Sequence, residues 1–159
     1  MVTVQIICVG RLKETFWREA CAEYGKRLQL FCKFNIVELA ETKLPDQASE
    51  TQIAAALKDE GKRLLAAAGN SLLFAMCIEG RQLSSEQLAE KISTACISGV
   101  SAISFMIGSS FGLSDEVKQS AVFKLSMSPM TFPHQLARVM LCEQIYRAFQ
   151  INNHGKYHK

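Results

Sequence analysis

Hydrophobic and polar positions along the chain switch repeatedly between the period of a strand and the period of a helix. Residues 2–9 form a β-rich run that closes at Gly10, and residues 16–28 then repeat apolar groups at helical spacing. Residues 34–39 alternate as a half-buried strand, and residues 50–68 carry the pattern of a long helix. The first half of the chain is therefore predicted to run strand, helix, strand, helix.

The second half continues this alternation. The apolar run 71–78 is too short for a buried helix and predicts a strand that ends at Gly80, and Ser84 with Gln87 has the spacing of a capping box that starts a helix. The remaining elements are predicted as a strand over 102–107, a short helix over 115–121, a strand over 123–127 and a last helix with Pro133 in its first turn, running to about residue 150. This order predicts an α/β fold with a mostly parallel sheet covered by helices on both faces, and ligands bind such sheets beyond the carboxyl ends of the strands.

Composition narrows the class of protein. With 159 residues, 48% apolar and 21% charged, the chain is expected to form one globular domain over 1–159. No apolar stretch approaches the roughly 18 residues of a membrane span, and the first ten residues lack the basic start of a signal peptide. We therefore expect a cytoplasmic protein with no membrane partner.

The net charge, the cysteines and the histidines do not indicate a particular partner or a metal site. The net charge of +3 permits an anionic partner without requiring one. The six cysteines are scattered singly with no CxxC pair, which favours reduced, buried thiols. The three histidines stand apart from any carboxylate or cysteine cluster, so no metal site is expected.

The last predicted helix carries apolar residues over more than one stripe of its surface. These residues are Leu136, Ala137, Val139, Met140, Leu141, Ile145, Ala148 and Phe149. Burial on two sides predicts a partner subunit across this helix, most simply in a two-fold homodimer. The alternative is a helix buried wholly within its own chain.

Candidate chemistry concentrates between residues 105 and 159. The loop 108–112 follows a strand and precedes a capped helix, where backbone N–H groups can approach a ligand, although it lacks the spacing of classical nucleotide motifs. Two prolines stiffen the segment 126–134, which suits a bound ring. His134 and Arg138 are four residues apart and are predicted to address one substrate from one helix face. The tail 152–159 is either a frayed end or an RNA contact, since it places an aromatic between cations.

Taken together, several motifs resemble one family closely over nearly the whole chain. They are Ile107-Gly108-x-x-x-Gly112-Leu113-Ser114, Met130-Thr131-Phe132-Pro133-His134, Arg138, Glu143-Gln144-x-Tyr146-Arg147-Ala148 and Tyr157-His158-Lys159. The chain resembles the ribosomal RNA large subunit methyltransferase H family, of the SPOUT class. The resemblance implies a five- to six-stranded α/β domain with a C-terminal trefoil knot, working as a homodimer. It also implies an enzyme that transfers methyl from S-adenosylmethionine to N3 of a pseudouridine in 23S rRNA on the assembled 70S ribosome.

The resemblance also implies roles for single residues. Those implied to line the cofactor pocket are Met76, Gly108, Met127, Ser128, Pro129, Met130, Thr131 and Phe132. Those implied to bind substrate or act in catalysis are His134, Arg138, Tyr157 and His158, with the tail of one subunit closing the site of the other. Two positions depart from the family pattern: Ser109 stands where a second glycine is usual and is expected to strain a turn that needs positive φ, and Lys156 replaces a frequent proline.

A methyltransferase of this kind must align the attack on the sulfonium methyl and help an imide nitrogen lose its proton. Either His134 or His158 is a candidate base near neutral pH, water is a third alternative, and the residues alone do not choose among them. Arg138 is too basic for that role but suits stabilisation of negative charge. The rival functions are methylation of a different RNA nucleotide, a hydrolase that uses Cys77 near His134, and a non-catalytic ribosome-binding protein.

Overall fold

Five strands and five helices alternate along the chain in a computed structural model that describes residues 1–159. In chain order they are β1 (Thr3–Val9), α1 (Thr15–Leu28), β2 (Lys33–Leu39), α2 (Glu50–Ala68), β3 (Leu72–Arg81), α3 (Ser85–Ile97), β4 (Ala102–Ile107), α4 (Asp115–Ser120), β5 (Phe123–Leu125) and α5 (His134–Asn152). The predicted order of elements is confirmed. None of the helices is both long enough and apolar enough to cross a membrane.

All five strands are parallel and form one sheet in the order β2-β1-β4-β3-β5. Thr3 of β1 is in register with Lys33 on one side and with Ala102 on the other. Because the strands are parallel, their carboxyl ends meet at one edge of the sheet, where the connecting loops leave for the helices. The α/β fold class is thus confirmed, with five strands in the sheet.

Helices cover both faces of this sheet and divide the core into two layers. Cys21 of α1, Ile92 of α3 and Leu141 of α5 belong to the larger layer. Leu64 of α2 and Val117 of α4 belong to the smaller layer on the opposite face. Apolar residues of β1 alternate between the two layers, as expected for a strand buried on both sides.

Local signals explain where the helices start. The capping box predicted at Ser84 is formed, with Ser84 and Gln87 exchanging hydrogen bonds, and Ser49 and Gln52 form a second one before α2. At α5 the prediction is off by one position, because Pro133 has extended backbone and serves as the N-cap, so the helix begins at His134.

The predicted end of β3 at Gly80 is wrong. The strand continues to Arg81, and its pairing with β5 shifts register between Met76 and Arg81. Gly80 lies against the backbone of β5, where an added Cβ would come within 2.6 Å of the Lys124 carbonyl oxygen. The glycine is therefore required by the close approach of two strands and does not mark a turn.

The last helix packs on α1 and α3 within its own chain. Its inward side buries Leu141, Ile145 and Ala148 completely, whereas Leu136 and Met140 are only half buried. The chain's own helices therefore bury part of the apolar surface of α5. The homodimer that would cover the remaining part stays a prediction.

Candidate functional site

A cavity of about 340 Å³ opens at the carboxyl edge of the sheet. It lies where β3, β4 and β5 end, and the loops that follow β4 and β5 form much of its wall. Its lining includes Met76, Cys77, Ile78, Glu79, Ile107, the loop 108–113, Lys118, Leu125, the segment 126–128, Met130, Thr131, Phe132, His134 and Ala137. The position agrees with the sequence-based expectation for ligand binding in a parallel sheet.

The residues expected to hold a cofactor lie together in this cavity, with one exception. Those that line it are Met76, Gly108, Met127, Ser128, Met130, Thr131 and Phe132. Pro129 does not line it, although it lies between two residues that do. Within this loop the Ser126 hydroxyl donates to the Ser128 carbonyl oxygen at 3.2 Å, and the Met130 amide donates to Ser128 Oγ at 3.0 Å. The loop is thus fixed by its own hydrogen bonds as well as by its prolines.

The loop after β4 makes a tight turn at the cavity wall. The Gly112 amide donates to the Ser109 carbonyl oxygen at 2.8 Å, and Gly112 has φ of +87°. A Cβ on Gly108 would overlap the carbonyl group of Gly112, so the first glycine is needed for close backbone approach. The expectation that Ser109 strains this turn is wrong, because the positive φ falls on Gly112 and Ser109 is buried in ordinary geometry.

An ion pair that the sequence did not reveal forms part of the lining. Lys118 of α4 pairs with Glu79 near the end of β3. The hydrogen bond from Lys118 lowers the pKa of Glu79, and the same bond raises the pKa of Lys118, so both side chains are charged at neutral pH. No local sequence motif links these two residues, which approach only because β3 and α4 meet at the same edge of the sheet.

His134 and Arg138 do not address the same space. His134 is exposed at the start of α5 and lines the cavity. Arg138 is only 3% exposed and points away from it: Nη1 donates to Glu38 Oε2 at 2.9 Å and Nη2 to the Gly10 carbonyl oxygen at 3.2 Å. Glu38 also accepts the Leu12 amide at 2.9 Å. Arg138 therefore ties α5 to the carboxyl ends of β1 and β2, contrary to the expectation that it shares a substrate with His134.

The tail lies outside the cavity lining of its own chain. The Tyr157 hydroxyl donates to Glu143 Oε1 at 3.2 Å, and His158 Nε2 lies 2.7 Å from Glu86 Oε1. The structure therefore keeps Tyr157 and His158 together, but against α3 and α5 of the same chain.

Cys77 and His134 both line the cavity, as the hydrolase alternative requires. A nucleophilic cysteine needs a lowered pKa so that thiolate forms near neutral pH. Burial instead raises the pKa of Cys77, and the nearby Glu79 carboxylate adds to the effect. The electrostatics of the cavity therefore disfavour a thiol nucleophile.

Comparisons with known proteins agree with this arrangement. The family model described as predicted SPOUT methyltransferase matches residues 2–158. The chain is 48% identical over 159 residues to ribosomal RNA large subunit methyltransferase H of Bifidobacterium animalis subsp. lactis, covering 99% of this chain and 100% of that protein. It is 49% identical, at the same coverage, to the protein of that name from Clostridium novyi.

Two solved structures share the fold at low sequence identity. One is the tRNA (m1G37) methyltransferase from Aquifex aeolicus, with a TM-score of 0.53 and 10% identity over 91% of this chain and 69% of that one. The other is a probable methylase family protein from Haemophilus influenzae, with a TM-score of 0.52 and 11% identity over 95% of this chain and 66% of that one. At such identities the likeness concerns the fold alone.

Proposed function

Because the chain belongs to the SPOUT methyltransferase family, we propose that it methylates large-subunit ribosomal RNA with S-adenosylmethionine as the methyl donor. The proposed target is N3 of a pseudouridine in 23S rRNA, presented by the assembled 70S ribosome in the cytoplasm. The two relatives of nearly 50% identity are named as rRNA methyltransferases, and the match to this chain covers their full length. The observation that carries the proposal is the cavity at the carboxyl edge, lined by seven of the residues expected there.

The lining suits S-adenosylmethionine in size and in chemistry. The volume of about 340 Å³ falls in the range of small-molecule sites. Met76 and Leu125 offer apolar surface to a purine ring, and the glycine turn lets backbone groups approach a ligand closely. In this proposal Met76, Gly108, residues 127–128 and residues 130–132 hold the donor, whose sulfonium supplies an activated methyl group.

The remaining task of the protein is to position the base and remove its imide proton. His134 lies in the cavity wall, exposed at the start of α5, where it can reach a nucleotide that enters from solvent. Arg138 lies one turn further along α5, and its bonds to Glu38 and to the Gly10 carbonyl fix the start of that helix. We therefore assign proton removal to His134 and the orientation of His134 to Arg138.

A homodimer completes the proposed site. The half-buried Leu136 and Met140 leave apolar surface on α5 for a second copy, so that the tail of one subunit reaches the cavity of the other. The C-terminal trefoil knot of the SPOUT class belongs to the same proposal. Tyr157 and His158 would then contact the RNA that enters the partner's cavity.

The test is transfer of labelled methyl from S-adenosylmethionine to purified 70S ribosomes, followed by mapping of the modified base. With a net charge of only +3 per chain, affinity for protein-free RNA should be modest, so the ribosome is expected to be the better substrate. Label at N3 of one pseudouridine supports the proposal. Label at another nucleotide identifies a methyltransferase with a different target, and ribosome binding without any label would identify a non-catalytic protein.

His134→Ala is expected to lower the single-turnover rate by about 100-fold or more, which is the usual contribution of a positioned base. Calorimetry with S-adenosylmethionine should show that this variant still binds the donor. An unchanged single-turnover rate would contradict the assignment of proton removal to His134.

A further inference from the structure

Tyr157 and His158, next to the last residue of the chain, are bound by side chains that have no assigned part in the reaction. Arg147 Nε and Nη2 donate to Glu143 Oε1 at 3.0 and 2.7 Å, and the same oxygen accepts the Tyr157 hydroxyl. The guanidinium of Arg147 stacks over the Tyr157 ring, 4.7 Å from its centroid. The Tyr146 ring meets Tyr157 edge-on, with 4.9 Å between centroids. Tyr157 is thus held by three contacts: its hydroxyl donates to Glu143, its ring face meets the Arg147 guanidinium, and its ring packs against that of Tyr146.

His158 is held at both ring nitrogens. Its Nε2 lies 2.7 Å from Glu86 Oε1, at the start of α3, and its Nδ1 lies 3.3 Å from Arg147 Nη1. Hydrogen bonds from its own backbone amide, from the Ser84 hydroxyl and from His158 lower the pKa of Glu86 to about 2, so Glu86 is a carboxylate at neutral pH. A carboxylate only accepts hydrogen bonds and a guanidinium only donates them. The two partners therefore assign the neutral tautomer with its proton on Nε2.

We propose that Glu86, Glu143 and Arg147, here named the tail clamp, are positioning residues that fix the pose of Tyr157 and His158 for methyl transfer. The inference rests on the proposed function, in which the tail contacts the RNA substrate. Two helices of the tail's own chain then determine where the tail side chains point, before any substrate arrives. A preformed pose lowers the ordering cost that a loose tail would add to the transition state.

The clamp also bears on the choice between the two candidate bases. A general base needs a free lone pair, and the Nδ1 lone pair of clamped His158 faces the Arg147 guanidinium. No guanidinium is hydrogen-bonded to the ring of His134, which lines the cavity. While clamped, His158 has both ring nitrogens engaged and can offer the substrate only the surface of its ring, so proton removal is left to His134.

Variants of the clamp separate positioning from general stability. Glu143→Gln keeps one acceptor oxygen for Tyr157 but removes the negative charge that holds Arg147. Arg147→Lys keeps the positive charge but loses the planar fork. Each is expected to lower kcat on 70S ribosomes by about 10- to 100-fold. Affinity for S-adenosylmethionine is expected to stay within about threefold, because none of the three clamp residues lines the cavity. KM for ribosomes is expected to change less than kcat, because the clamp acts on the pose of the tail.

The matched control is Asp59→Asn. Asp59 forms an i,i+4 pair with Arg63 at 3.1 Å on α2, on the opposite face of the sheet, and touches no tail residue. It is expected to leave kcat unchanged. At the clamp itself, Glu86→Gln keeps an oxygen that accepts the Nε2 proton and should retain at least half of kcat, whereas Glu86→Ala should not. Equal losses in the two Glu86 variants would refute the neutral tautomer.

A second readout needs no activity at all. Carboxypeptidase is added to each protein, and the release of His158 and Tyr157 is followed by mass spectrometry. Faster release from Glu86→Ala and Glu143→Gln than from the wild type and Asp59→Asn supports the clamp. Equal release from all four proteins overturns it, and faster release with unchanged kcat overturns the positioning role. A wild type that transfers no methyl refutes the proposed function, while the release rates still decide whether the clamp exists.

Discussion

The turn at residues 108–112 allows a sharp test of how the cavity is built, through the substitution Gly108→Ala. The added Cβ would overlap the carbonyl group of Gly112 and come within 3.0 Å of the Leu113 amide nitrogen. Both of these neighbours are backbone, so the turn must open by about 1 Å and cannot relax by a side-chain rotation. Overpacking of this kind costs about 1 to 3 kcal/mol. We expect affinity for S-adenosylmethionine to fall by about 5- to 150-fold.

Two other glycines provide graded controls for this experiment. Gly112→Ala puts a side chain into open space but at φ of +87°, so it should cost only backbone strain of about 1 kcal/mol. Gly25→Ala lies within α1, where the new Cβ meets a Phe34 ring carbon at an ordinary 3.6 Å. It should leave binding unchanged and stabilise the helix by up to about 1 kcal/mol.

Calorimetric titration with S-adenosylmethionine measures the affinity of each variant, and urea unfolding measures its stability. The expected order of lost affinity is Gly108→Ala, then Gly112→Ala, then Gly25→Ala with none. Wild-type affinity in folded Gly108→Ala would refute the reasoning that the donor requires this close backbone approach. Lost affinity in Gly25→Ala would show that the loss is not specific to the turn.

Three further predictions concern the rest of the fold. Glu38→Gln leaves the buried Arg138 guanidinium without its carboxylate and should lower the unfolding free energy by about 3 to 5 kcal/mol in urea titrations; a loss below 1 kcal/mol would contradict this. Burial raises the pKa of Cys8 and of Cys32 to about 12, so neither thiol should react with iodoacetamide at pH 8 unless urea is present. Since both values are raised on folding, this contribution to stability is complete below about pH 9 and is lost as pH rises towards 12, which unfolding midpoints should show. Gly80→Ala should lower stability by about 1 to 3 kcal/mol by pushing β5 away from β3, and an unchanged midpoint would refute the close contact.

Much of the architecture could be predicted because its signals are local. Helix α2 and strand β4 have the predicted bounds, since glycine turns, a capping serine and a clear apolar period delimit them. The capping box at Ser84 likewise depends on residues three positions apart. Features of this kind are determined by near neighbours in sequence, and a reading of the sequence can recover them.

The errors arose where distant segments meet. Gly80 has the appearance of a strand end, but the backbone of β5 lies against it across the sheet. Arg138 shares a helix with His134, yet its guanidinium is bound by Glu38, 100 positions earlier in the chain. The Lys118–Glu79 pair and the tail contact with Glu86 are equally remote in sequence. Helical spacing predicts which residues lie on one face of a helix. Which residues that face contacts depends on strands that are distant in sequence, as with Arg138 and Glu38.

The order of strands has a consequence for how the protein folds as it is synthesised. β1 pairs with β2 on one side, but its other side pairs with β4, which lies about 100 positions later. Until synthesis has passed Ile107, the early strands can form only a two-stranded pair, which is marginally stable by itself. Non-local pairing of this kind slows folding, and unpaired strand edges promote aggregation. The nascent chain therefore exposes one edge of β1, a strand that the folded protein buries on both faces, for about two thirds of its synthesis.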